Sequence, residues 1–226
     1  MSRRLMVQDL GRKPYAEVLE LQRSLAQQRI AGELDEDVLL LVEHEPVVTL
    51  GRSTRPQSLR LSTAELERRG VAEYEVERGG DVTFHGPGQL VGYPILDLRE
   101  HREDLHWYLR TLEMALIYGL DGLSIKAGRN PGLTGVWTRD RKIASIGIHV
   151  KQWVTYHGFA LNVNTDLSYF DLIVPCGIQN VVMTSVAMEL GRTDAGPVWA
   201  EARQAVIEGM AHAFGALPVE AASAQP

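Results

Sequence analysis

A single cysteine, Cys176, stands in 226 residues, so no internal disulfide framework can exist, and a reducing, cytoplasmic setting fits. No apolar run approaches the ~20 residues of a membrane-spanning helix; the longest aliphatic one is Val38-Leu-Leu-Leu-Val42. The first residues, Met-Ser-Arg-Arg-Leu-Met, carry no apolar core ahead of a small-residue cleavage site, so no signal peptide is expected. Basic residues are outnumbered, 23 Lys and Arg against 29 Asp and Glu, for a net charge of −6, whereas a nucleic-acid binder carries the opposite balance. Internal repeats, low-complexity tracts and linker-like stretches are missing too. What remains, 45% hydrophobic and 23% charged residues, is the composition of a globular protein able to bury a core.

Glycine, by contrast, is concentrated in one place. Arg78-Gly-Gly-Asp-Val-Thr-Phe-His-Gly-Pro-Gly-Gln-Leu-Val-Gly-Tyr93 holds five glycines in sixteen residues, mixed with Arg78, Thr83, His85 and Gln89. Glycines let a ligand lie against the main chain, and the polar groups between them can orient it. Local turn chemistry alone reads the stretch as a β-hairpin, with Gly79-Gly80 as its turn and Gly86-Pro87-Gly88 as a second bend. No Gly-x-x-x-x-Gly-Lys-Ser/Thr run occurs. Gly86, Gly88 and Gly92 are spaced one residue too widely for the dinucleotide fingerprint. A nucleotide phosphate is therefore not the expected guest.

Hydrophobic spacing lays out the rest. Residues 5–10 read as a short strand. Pro14 suits the first turn of a helix whose apolar positions Tyr15, Val18, Leu21 and Leu25 recur to about Ala31. Residues 38–42 are apolar on both faces and so belong to a central strand, and 47–50 extend again. Ser62-Thr-Ala-Glu65 is a capping box for a short helix closed by Gly70. Residues 73–78 alternate as an edge or half-buried strand, and 93–98 extend. Leu105, Tyr108, Leu109, Leu112 and Leu116 form a helix face that Gly119 should end. Residues 129–135 read as loop, 136–138 as extended, Arg139-Asp140 as a turn, and 142–150 and 154–163 as strands; 171–178 is irregular. Thr184 or Ser185 caps a short helix to Leu190, Pro197 opens a last amphipathic helix, and the tail after Pro218 should fray. The pattern implies an α/β (α+β) protein with a mixed β-sheet and packed helices. It reads as one domain over 1–226, with a small C-terminal subdomain from about 184 as the alternative division and a frayed tail over 219–226.

Cys176 lies between Pro175 and Gly177, on a forced bend, whereas a structural cysteine usually sits inside an apolar element; by position alone both a reactive and a structural thiol stay open. Its thiolate is the reactive form. A partner that stabilises it must come from elsewhere, and His85, His149, His157 and Lys142 are candidates. A lysine ammonium at about 4 Å, with an effective dielectric near 20, is worth roughly 4 kcal/mol, about 3 pKa units before desolvation. Lys142 opens a strand otherwise nearly free of charge; by itself that also describes an edge lysine reaching to solvent. Metal-ligand spacing is absent: there is no His-Glu-x-x-His, and His101 and His106 are off-face on a helix. His44 and His101 read as surface or internally satisfied histidines.

Together these motifs resemble the lipoyl(octanoyl) transferases, the octanoyl-acyl-carrier-protein:protein transferases of lipoate biosynthesis. The resemblance runs from Arg78-Gly-Gly-x-x-Thr-Phe-His-Gly-Pro-Gly-Gln-Leu-x-x-Tyr93 through Gly135-Val-Trp137, Lys142-Ile-Ala-Ser-Ile-Gly147, His157-Gly-Phe-Ala-Leu-Asn162 and Ile173-Val-Pro-Cys-Gly-Ile178. It covers roughly residues 39–190 in order and spacing. Asp81, where the family often carries a basic residue, and Ser145, where alanine is common, depart from it. The resemblance implies the fold of biotin protein ligases and lipoate–protein ligases. It also implies a catalytic pair in which Cys176 carries the octanoyl group as a thioester and Lys142 stabilises the thiolate. Substrate contacts would come from Arg78, Gly79, Gly80, Asp81, Val82, Thr83, Phe84 and His85, from Ser145, Ile146 and Gly147, and from Gly158, Phe159 and Ala160.

Implied partners are octanoyl-acyl carrier protein as donor, and lipoyl domains of 2-oxoacid dehydrogenase complexes and the glycine-cleavage H protein as acceptors. The enzyme would work as a monomer, with no cofactor, metal, nucleic acid or membrane. Thioester-to-amide transfer is downhill, so ATP is not needed. Glycines 79, 80, 86, 88, 147 and 158 would line a slot in which each buried methylene contributes about 0.8 kcal/mol, about fourfold in binding. Backbone N–H groups near 176–178 would form an oxyanion hole. An acidic carrier needs a local basic rim, for which Arg52, Arg55, Arg78, Arg129, Arg139, Arg141 and Lys151 are candidates. Competing readings are an ATP-dependent lipoate or biotin ligase, an amidotransferase between lipoyl-domain lysines, and a non-enzymatic acyl-binding module.

Overall fold

A strand with aliphatic side chains on both faces needs cover on both sides, and residues 38–42 receive it. The computed structural model of the chain describes residues 3–174 and 181–221. Its elements are β1 (Arg3–Lys13), α1 (Tyr15–Ala31), β2 (Asp37–His44), β3 (Val47–Leu50), α2 (Thr63–Arg68), β4 (Ala72–Glu75), β5 (Val82–His85), β6 (Gln89–Ile95), α3 (Leu105–Gly122), β7 (Gly128–Asn130), β8 (Leu133–Thr138), β9 (Arg141–Lys151), β10 (Val154–Asn162), α4 (Val186–Leu190), α5 (Ala195–Phe214) and β11 (Ala216–Glu220). Eight strands form one mixed sheet in the order β11-β1-β2-β6-β10-β9-β8-β7, and β4-β3-β5 form a second, small sheet. This is the expected mixed sheet with packed helices.

Side chains alternate across a strand, and β2 shows what that does. Leu39 and Leu41 enter a core with Tyr108 and Leu112 of α3 and Val206 and Met210 of α5. Val38, Leu40 and Val42 enter the opposite core, with Val18 and Ala26 of α1. A third core joins Val48, Val82 and Phe84 of the small sheet to Leu66, Phe170, Leu172 and Ile173.

The structure departs from the local reading in five places. First, Gly79-Gly80 is not a hairpin turn, because β4 and β5 do not pair with each other but flank β3 from its two sides. Residues 86–88 then carry the chain from the small sheet to the large one. Second, β4 stops at Glu75, and the chain leaves the small sheet before Arg78. Third, α3 runs through Gly119 to Gly122. A glycine inside a helix is disfavoured by about 1 kcal/mol, but here it permits close packing: a Cβ on Gly119 would lie 2.4 Å from the Ala205 carbonyl oxygen of α5.

Fourth, the expected loop over 129–135 contains β7 and the start of β8. Fifth, the chain does not fray at Pro218. Val219 and Glu220 pair in β11 with Met6 and Val7 of β1, an edge position that tolerates proline, and Arg203 clamps Glu220 at 3.1 Å and Asp9 at 2.7 Å. Among the described residues no helix is long and apolar enough to cross a membrane.

Candidate active site

Alternation in β5 splits the glycine-rich stretch into two roles. Val82 and Phe84 point into the third core, where Phe84 stacks on Tyr169 with centroids 4.6 Å apart. Thr83 and His85 point the other way, into a cleft whose empty space, solvent at its opening included, is about 450 Å³. β9 and β10 form the facing wall through three cross-strand pairs, Ser145 with Ala160, Ile146 with Phe159 and Gly147 with Gly158. Arg78, Gly80 and Asp81 complete that side.

Eleven of the fourteen residues expected to contact substrate therefore converge on one cavity. Val82 and Phe84 do not line it. Nor does Gly79, whose N–H is bonded to the Ile148 carbonyl at 2.8 Å. Of the slot glycines, Gly86 packs on the Phe84 ring and Gly88 lies under Asn164 and Thr165, so neither faces the cavity. Tyr15, Val91, Tyr93 and His157 also line it. Tyr15 and Val91 carry no sequence signal beyond apolar periodicity, and Tyr93 closes the motif already noted. His157, a candidate thiol partner that also opens the His157-Gly-Phe-Ala-Leu-Asn162 motif, holds a positive φ of 56°, and its N–H donates to Gln22 Oε1 at 2.9 Å.

Polar groups in the wall are held in fixed states. Arg78 is buried and donates to the Thr49 carbonyl at 2.6 Å and to its hydroxyl at 2.9 Å, so it is not part of an exposed basic rim. Burial pushes His85 down to about 3 and His44 to about 4, and also lowers His157. His85 and His44 are neutral at pH 7. His44 sits between the Lys13 carbonyl at 3.0 Å and the Tyr93 hydroxyl at 2.8 Å, and His101 is bonded to Asp37; both are satisfied internally. The Thr83 hydroxyl is buried in the wall with no partner among the described residues.

Asp81, the departure from the family pattern, has a visible role. It accepts from the Ser58 hydroxyl at 2.8 Å and from the Val82 N–H at 2.7 Å. The Ser58 carbonyl in turn accepts the Val174 N–H at 2.8 Å. Ser145 sits in the cavity wall opposite Ala160.

Lys142 is not an edge lysine reaching to solvent, for it is 1% exposed. Its ammonium lies 5.5 Å from the centroid of the Trp137 ring, within cation–π range. Gly135 makes room for it: at φ 122°, a Cβ there would meet the Ala144 carbonyl oxygen at 2.6 Å and Lys142 Cε at 2.8 Å. The Lys142 N–H donates to the Val182 carbonyl at 2.8 Å, and its carbonyl accepts the Thr184 N–H at 3.0 Å. Cys176, with the backbone groups of Gly177 and Ile178, lies outside the described residues. Described chain on both sides of that segment is anchored: Ile173 bridges Leu59, and Met183 bridges Lys142. Among the described residues no group of His, Cys, Asp and Glu side chains is placed to hold a metal ion.

This fold matches a known class. The family model of the lipoyl protein ligase A/B catalytic domain fits residues 14–211. A bi-partite lipoate protein ligase from Thermoplasma acidophilum superposes with a TM-score of 0.73 over 97% of this chain and 87% of that one, at 18% identity. Lipoate-protein ligase A bound with ATP gives 0.71 over 98% and 90%, at 17%. At such identities these structures establish the shared fold alone. Sequence relatives are closer. An octanoyltransferase of Solibacter usitatus is 53% identical, covering 82% of this chain and 84% of its own; one of Flavobacterium johnsoniae is 43% identical over 96% and 99%. The chain belongs to this octanoyltransferase family within the lipoyl protein ligase A/B class.

Proposed function

We propose that this protein transfers an octanoyl group from octanoyl-acyl carrier protein to a specific lysine of lipoyl domains, those of 2-oxoacid dehydrogenase complexes and the glycine-cleavage H protein, through a thioester on Cys176. The observation that carries the reading is the buried ammonium of Lys142. It is held against Gly135 and Trp137, on a strand bracketed by the chain that follows the Cys176 segment. The octanoyltransferase relatives support octanoyl transfer in lipoylation.

In the first half-reaction the Cys176 thiolate attacks the carbonyl carbon of the donor thioester. The bond to the carrier sulfur breaks, and the carrier thiolate takes a proton from Lys142. In the second, the acceptor amine attacks the enzyme thioester and the C–S bond to Cys176 breaks. The proton lost by the amine restores the Lys142 ammonium, and the Cys176 thiolate is regenerated. Thioester-to-amide transfer is downhill, so no nucleotide enters. The acyl chain would lie along the Ser145–Gly147 and Gly158–Ala160 walls, where a dry environment slows hydrolysis of the intermediate. The Thr83 hydroxyl is available to a bound carbonyl.

Intact-protein mass after mixing with octanoyl-acyl carrier protein, without ATP, tests this. Wild type should gain one hydroxylamine-labile octanoyl group, Cys176→Ser none, and Lys142→Ala the same group at least about a hundredfold more slowly, the scale typical of a lost general acid–base group. An unmodified wild type that octanoylates a lipoyl domain only with ATP and free octanoate would make it a ligase and overturn the thioester route.

A further inference from the structure

Gln89, the first residue of β6, and Asn162, the last of β10, are each 1% exposed. Gln89 Oε1 lies 2.8 Å from His85 Nδ1, and Gln89 Nε2 donates to Asn162 Oδ1 at 2.9 Å. Asn162 Nδ2 donates in turn to the Thr184 carbonyl at 3.0 Å. The direction of this chain follows from its end. A backbone carbonyl can only accept, so Asn162 presents its nitrogen there and its oxygen to Gln89. Gln89 then presents its own oxygen to His85, which carries its proton on Nδ1 and keeps Nε2 as an acceptor. Thr184 continues the connection, because its N–H donates to the Lys142 carbonyl.

A hydrophobic core needs none of this. The chain neighbours of the two amides, Leu90, Leu161 and Val163, belong to the main apolar core. Burying amides is costly unless every group is bonded, and a fully bonded network favours one arrangement over its neighbours. This network has the cavity wall at one end and the strand of Lys142 at the other.

We infer that Gln89 and Asn162 are positioning residues that couple the tautomer of His85 in the cavity wall to the register of residues 182–184 along Lys142. The inference rests on the octanoyl-transfer reading of that cavity. Neither amide touches the reacting atoms; each acts through His85 and through the backbone beside Lys142.

Asn162→Asp and Asn162→Leu separate this role from packing. In Asn162→Asp the introduced carboxylate still accepts from Gln89 but repels the Thr184 carbonyl. Protonated, the same group accepts and donates, restoring both links, and burial favours that neutral form. Among the described residues the titratable groups around it are Lys142, Glu189 through the Thr184 hydroxyl at 2.6 Å, and neutral His85 at the far end. At about pH 8 the Asn162→Asp variant should lose about tenfold or more in kcat, equivalent to about 1.4 kcal/mol, with donor KM within about twofold. Relative to wild type it should recover as pH falls toward about 5.5, while Asn162→Leu stays low at every pH. Amide exchange supplies a readout that does not depend on activity: at about pH 8 the Lys142 and Thr184 N–H groups should lose about tenfold protection in Asn162→Asp while β2 keeps its own. A pH-independent activity ratio for Asn162→Asp together with unchanged exchange at Lys142 and Thr184 would overturn the inference. If wild type transfers no octanoyl group, the octanoyl-transfer reading falls and exchange alone decides the positioning role. If Asn162→Leu fails to fold, the pH response of Asn162→Asp still decides.

Discussion

Two neutral histidines share one aromatic cluster behind the cavity: the His44 ring lies 5.2 Å and the His85 ring 6.1 Å from that of Tyr15. Burial is the cause of their neutrality, and it carries a stability consequence. Unfolded, each takes up a proton near the ordinary 6.5; folded, His44 does so only near 4 and His85 near 3. The folded state thus binds fewer protons between those values, and stability falls as pH drops from about 6.5 toward 4. A melting series over that window should show Tm declining with acid, and His44→Gln should flatten the decline without removing it, because His85 still contributes. Identical slopes for the two proteins would assign the acid sensitivity to other groups. The sequence motif marked His85, and His44 read as either a surface or an internally satisfied histidine. That both are neutral comes from burial between elements far apart in the chain, and no local pattern announces it.

Helix α3 and helix α5 cross closely enough for backbone to meet backbone. A Cβ on Gly209 would sit 2.1 Å from the Ala115 carbonyl oxygen, a clash with main chain that no rotamer relieves. Gly209→Ala should therefore destabilise by about 1–3 kcal/mol, the usual range for overpacking. Thermal or urea unfolding would read the loss, and donor KM measured well below Tm should stay as in wild type. A stable Gly209→Ala protein would show that the helices separate more readily than their packing implies. Elements whose signal is local agree with their sequence reading: the α2 cap, where Ser62 accepts the Glu65 N–H, and the turn at Arg139-Asp140, where both residues hold positive φ as a tight hairpin requires. Elements whose fate depends on a distant partner do not. Glycine bends state where a chain turns, not which strand it meets next, so β4 and β5 read as a hairpin although β3 lies between them.

At the scale of the whole molecule, an acidic protein must present local positive charge to meet an acidic carrier. Arg129 is committed to buried Glu113 at 2.8 Å and Arg141 to Glu189 at 2.7 Å, which makes them poor choices. Arg52 and Arg55 are exposed, on a segment whose backbone holds the cavity edge, with Arg52 N–H bonded to the Arg78 carbonyl and Ser53 N–H to that of Gly80, both at 3.0 Å. Reversing both, Arg52→Glu with Arg55→Glu, should raise the KM for octanoyl-acyl carrier protein about tenfold at low salt, with the difference shrinking as added salt screens it. A KM that does not move would place the docking surface elsewhere.

Sequence alone determined what depends on near neighbours: the periods that make helices and strands, local signals such as the Ser62 cap and the Arg139-Asp140 turn, and the central place of β2. With the family resemblance, it also marked the residues at which chemistry was to be sought. Tertiary structure decided which of them face one cavity, that Lys142 is buried, and that a polar chain joins His85 to Thr184. The reason is physical. A strand's period says which side chains share a face, but what covers that face is set by burial summed over elements far apart in the chain, as where Gln89 meets Asn162.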